Sequence, residues 1–191
     1  MLYLWVIVAR KLPPEFDLAR LVKYLSLIVL ITCSFGFTQN FDTNAKIKAV
    51  FLYNFTRYFE WPAAKKSGNF VIQVVGKNEA LIKELTKMAE TKTVGSQKME
   101  VVNTPAYDGK IKPHMLFFLP DMSKDLSDAT SKLKGKGSLI IAENAGAAKA
   151  GAAINFVVVD NKQKFEYSKA SAVKAGLKTS EDFKALAIAV D

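Results

Sequence analysis

The stretch AKIKAVFLYNFTRYFEWP, residues 45–62, constrains this chain more than any other. At helical spacing Ile47, Val50, Phe51, Phe55, Tyr58 and Phe59 share one side, which predicts a core helix laid on a sheet. Asp42, Thr43 and Asn44 stand where a helix start needs acceptors for its unpaired amides. Pro62 closes the stretch, because proline disfavours helical geometry at the preceding Trp61. Trp61 is expected to pack beneath the helix end. Asn54 falls inside the apolar stripe and requires a hydrogen-bond partner there. The opposite side is not cleanly polar: Leu52 and Tyr53 sit among Lys48, Thr56, Arg57 and Glu60. A helix of this kind contacts protein on more than one side. Leu52 and Tyr53 are therefore the candidate partner contacts.

Downstream, short apolar runs alternate with helical patterns. Residues 70–76 (FVIQVVG), 98–103 (KMEVVN), 114–120 (HMLFFLP), 138–143 (SLIIAE) and 154–160 (INFVVVD) read as strands, rich in Val, Ile and Phe. The near-continuous apolar character of 114–120 suggests burial on both faces. Residues 79–90, 124–134, 168–177 and 180–190 read as helices. Residues 164–168 are expected to return as the hairpin partner of 154–160, so the sheet is mixed. This alternation predicts a layered α/β domain. At residues 144–153 (NAGAAKAGAA), Gly146 and Gly151 have phosphate-loop spacing, but Ala152 and Ala153 stand where the motif requires Lys and Ser or Thr. A flexible surface loop is the expectation. After the first strand, Gly76 and Lys77 precede a helix start whose free amides suit an anion. They are candidate anion contacts, with an ordinary turn as the alternative.

Residues 21–39 read as a secretory signal peptide: Arg20 and Lys23 supply the charged end, residues 25–32 the apolar run, and 34–38 the small-residue cleavage pattern. The expected organisation is a leader over 1–38, an upstream extension plus the signal, followed by a single exported domain over 39–191. Lipid anchoring at Cys33 is the alternative. Cys33 is the chain's one cysteine, so the exported domain has no disulfide, and His114 is its one histidine. Zinc sites built from Cys and His are thereby excluded within one mature chain, and His114 is the sole candidate histidine base. Its place at a strand edge favours a structural role. The Glu181–Asp182 carboxylates have nothing that places them beside it. No catalytic, cofactor or metal site is expected.

The net charge is +9, of which Arg10, Lys11, Arg20 and Lys23 against Glu15 and Asp17 account for +2 in the leader, leaving +7. That charge is spread as single lysines, which gives a general attraction to polyanions and does not point to nucleic acid.

VFLYNFTRYFEWP, the strand FVIQVVG, the apolar HMLFFLP, SLIIAEN, INFVVVDNKQKFEYS and the ending AGLKTSEDF with Leu186–Ala187 resemble the YfiR-like periplasmic family over residues 45–187. The resemblance implies a Rossmann-like sandwich with a mixed, mostly parallel sheet. It also implies a non-enzymatic repressor that binds the outer region of a membrane diguanylate cyclase. The chain departs from the family pattern in lacking cysteines that form disulfides in some members. It also has Ala152–Ala153 for a glycine pair and Tyr167–Ser168 for an Ile-Asn pair. A homodimer and a small-ligand binding module without enzymatic activity stand as the alternative assembly and the alternative function.

Overall fold

Strong Val, Ile, Leu and Phe content in short runs makes an eight-stranded sheet the centre of the molecule. The computed structural model describes residues 43–190. Helix α1 (Thr43–Tyr58) leads into β1 (Phe59–Glu60). Then come β2 (Phe70–Val75), α2 (Glu79–Thr91), β3 (Thr93–Val94), β4 (Gln97–Thr104) and β5 (Met115–Phe118). Helix α3 (Leu126–Lys132), β6 (Leu139–Ala142), β7 (Ile154–Val159) and β8 (Lys162–Tyr167) follow. The chain closes with α4 (Lys169–Lys174), β9 (Lys178–Thr179), α5 (Glu181–Leu186) and β10 (Ile188–Ala189).

The large sheet runs β10-β8-β7-β6-β5-β2-β4-β3. Its central pairs are parallel, while β7–β8 and β3–β4 are antiparallel. The architecture is thus an α/β sandwich with a mixed, mostly parallel sheet. The period of two along each strand divides the core. Met115 and Phe117 of β5 and Leu139 and Ile141 of β6 face the layer that holds α1 and α2. Leu116, Phe118, Ile140 and Ala142 face the layer that holds α3. All four residues of each strand are buried, as 114–120 led us to expect. The hairpin turn between β7 and β8 uses Asp160 (φ 51°) and Asn161 (φ 56°) in left-handed conformations, whose twist matches that of paired strands.

Three local expectations are corrected. Helix α1 stops at Tyr58, short of Pro62, because Phe59 and Glu60 pair antiparallel with Thr179 and Lys178 and the Ser180 amide donates to the Tyr58 carbonyl. The last helix stops at Leu186, since Ile188 and Ala189 add to β8 as a parallel edge strand. The 144–153 segment is not a loose surface loop: Ala147, Ala148, Ala152 and Ala153 are all buried. Small side chains let this backbone lie directly on the sheet. The leader and the Asp42 cap lie outside the described residues.

Candidate functional site

Helix α1 has two apolar faces. The buried one is Ala45, Ala49, Leu52, Phe55 and, just past the helix, Phe59. Ala45 and Ala49 allow close approach to the sheet, and Phe55 enters an aromatic cluster, 5.1 Å from Phe165 and 5.6 Å from Phe183 between ring centroids. On this flank Lys48 is buried and its Nζ pairs with Glu143 Oε1 at 2.5 Å, tying α1 to the end of β6.

Leu52 is fully buried, which overturns its assignment to a contact surface. Tyr53 is half-buried against the core margin, with the Arg57 guanidinium 5.3 Å from its ring centroid. Of the expected core stripe, Phe55 and Phe59 are buried and Phe51 and Tyr58 pack against the core, while the Ile47–Val50 end stands open. Ile47 is 37% and Val50 44% exposed, and Phe51, Asn54 and Tyr58 are half-buried. These positions follow spacings of three and four residues, so they form one line roughly opposite the Ala45–Ala49–Leu52 seam. A groove of about 180 Å³ runs beside Phe51, Asn54 and Tyr58, closed by Lys164, Phe183 and the exposed Leu186. An apolar depression formed by Ile47, Val50 and Phe51 adjoins it. The exposed part of this line is the aliphatic pair Ile47 and Val50, with the half-buried Phe51 beside it.

The remaining candidates have structural roles. His114 is buried, its Nδ1 accepts from the Val71 amide at 3.0 Å, and its Nε2 donates to the Lys65 carbonyl at 2.7 Å. Burial pushes its pKa below the usual imidazole value, only partly opposed by the Lys65 carbonyl. The neutral ring is thus a splice between β2 and the turn at Lys65. Lys65 Nζ donates to the Lys112 and Pro113 carbonyls, and burial and the Lys112 charge lower its pKa to about 8. Glu181 pairs with Lys184 on the surface, far in role from any base.

Gly76 and Lys77 stand where the strand order reverses, at the carboxyl ends of β2 and β5, the customary ligand crevice of an open α/β sheet. That crevice is closed here. The Gly76 amide donates to the Thr104 carbonyl, and a methyl at Gly76 would stand 3.0 Å from Leu119 Cβ and 3.2 Å from Met122 Cγ. Asn78 Oδ1 accepts from the Leu81 amide and caps α2. The anion expectation therefore loses Gly76 as a donor, and Lys77 is left as an exposed lysine. Among the described residues, no three His, Cys, Asp or Glu side chains gather into a metal-binding group.

The model of the YfiR/HmsC-like family matches residues 45–187, from the first turn of α1 to the end of α5. The chain belongs to the YfiR/HmsC-like family. No curated protein matches it at a significant level. Members of the YfiR/HmsC-like family are regulatory rather than catalytic proteins. In this YfiR/HmsC-like chain α1 buries one face and leaves Ile47 and Val50 open on the other. Its exposed line was missed because Ile47, Val50 and Phe51 are large and apolar. The signal that would have found it is the alanine pair at 45 and 49, which marks the true seam. Among the described residues, no helix is long and apolar enough to cross a membrane.

Proposed function

We propose that this protein is an exported regulator that binds the outer region of a membrane signalling protein, a diguanylate cyclase foremost, and shifts it between two states. The observation that carries the reading is family membership over the whole folded span, residues 45–187. The open line Ile47–Val50–Phe51 on α1 supplies a contact surface, with Tyr53 and Arg57 on its flank. Regulation by contact requires different affinities for the partner's two conformations. Moving a partner from about 1:99 to 99:1 takes roughly 10⁴-fold, or about 5.5 kcal/mol, of differential binding.

Two measurements test the reading. Mass spectrometry of protein from native cells should find a mature N-terminus between Gly36 and Phe41. A product starting at Met1 contradicts export, and a diacylglyceryl group on Cys33 selects the anchored form. Affinity capture from detergent-solubilised membranes should retain a membrane protein with a periplasmic sensor region. Ile47→Asp with Val50→Asp should abolish that capture. Equal capture by the double variant removes the surface from the account, and a wild-type dimer broken by the same pair of changes assigns the face to a second copy.

A further inference from the structure

A second opening, of about 310 Å³, lies between α3, the 144–153 segment and α4, and no residue of α1 lines it. Its inner walls are apolar: Leu133, Ile140, Ala153 and Ala175. Its mouth carries Lys134, Lys149 and Lys174, one from each surrounding segment, and no carboxylate lines it. Lys132, on α3, pairs with Asp128 at 2.9 Å and is not among the lining residues. The three at the mouth have no ion pair among the described residues.

The walls are fixed before any ligand arrives. The Gly135 amide donates to the Lys174 carbonyl at 2.8 Å and the Gly137 amide to the Ala175 carbonyl at 2.7 Å, locking α4 to the turn after α3. Gly151 (φ 112°) lets the 144–153 segment close on α3, where a methyl would stand 2.8 Å from Thr130 Cγ2. A preformed cavity loses little freedom on binding, and its volume is at the lower end for small-molecule sites.

We propose that this cavity binds a small soluble phosphate ester. A phosphate monoester brings a charge of about −1.5 to −2 and three acceptor oxygens, which three ammonium groups can share. A single carboxylate would leave most of the lysine repulsion in place. Lysine suits the task as a flexible point charge. The apolar inner wall takes the organic part of the ligand. None of this depends on the partner surface of α1.

Isothermal titration of the purified full chain at constant ionic strength, with pyrophosphate and a hexose phosphate as probes, tests the site. Saturable one-site binding is expected. Lys134→Gln with Lys149→Gln and Lys174→Gln should weaken it at least about tenfold. Removing the same charge from α2, by Lys83→Gln, Lys87→Gln and Lys92→Gln, should leave it unchanged. Ala150→Trp, which fills the mouth without altering charge, should weaken it as the first triple does. Absence of saturable binding to the wild type overturns the proposal, as does an equal loss in both triples, which would mark a general attraction of anions to a basic protein.

Discussion

Trp61 joins the end of α1 to the sheet through one residue. It is 7% exposed, its Nε1 donates to the His114 carbonyl at 3.3 Å, and its ring meets Phe70 edge-on at 5.0 Å. Trp61→Ala should cost about 3–5 kcal/mol, because the void it leaves is walled by rings that cannot collapse inward. Thermal unfolding checks this, and a melting temperature within a degree or so of wild type would return Trp61 to the surface. His114 gives a second test at this scale. Its folded pKa lies below the unfolded value of 6.5, so the unfolded chain binds the extra proton first. Stability should therefore fall as pH drops from about 6.5 towards the lowered folded value, and level off below it. Denaturant midpoints between about pH 8 and pH 5 should show this slope in wild type and a flatter profile in His114→Gln. A structural role for His114 was legible from its place at a strand edge. The closure of the Gly76 crevice was not, because Leu119 and Met122 are more than forty residues away in the chain.

At the scale of the element, α1 is where pattern and packing diverge. A stripe of large apolar residues predicted the buried face; the sheet takes its Phe55 and Phe59 together with Ala45, Ala49 and Leu52, which the stripe did not include. Side-chain size competes with closeness of approach: small residues admit the helix backbone to the sheet, and Ile47 and Val50 are left outside. Leu52→Asp should then prevent folding, since it buries an unpaired carboxylate. Ile47→Asp with Val50→Asp should change the melting temperature little. Circular dichroism and thermal scans of the two variants separate these outcomes, and equal destabilisation would mean that both faces belong to the core. The strands were far more legible. β5 and β6 are buried on both faces, so an uninterrupted apolar run had no second face to misassign. The short final strand β10 was hidden because AIAV continues the helical pattern of 181–186, and only its pairing with Glu166 and Tyr167 makes it extended.

Across the whole molecule, the alternation of elements was enough to indicate a layered α/β fold, and the late hairpin to indicate a mixed sheet. Juxtapositions across the chain were not legible. Lys134, Lys149 and Lys174 read as scattered surface charge, and only the packing of α3, the alanine-rich segment and α4 brings them to one opening. The same holds for Lys48 and Glu143, which are 95 positions apart. The described domain carries the exposed apolar pair Ile47 and Val50 on α1 and, elsewhere, an opening rimmed by three lysines. Cyclic diguanylate in the native host, measured with the gene deleted and then restored, tests the regulatory reading most directly. Deletion should raise the level and the wild-type gene should return it. A gene carrying Ile47→Asp and Val50→Asp should fail to do so although its product accumulates normally. An unchanged level on deletion, or full restoration by the double variant, would contradict the account.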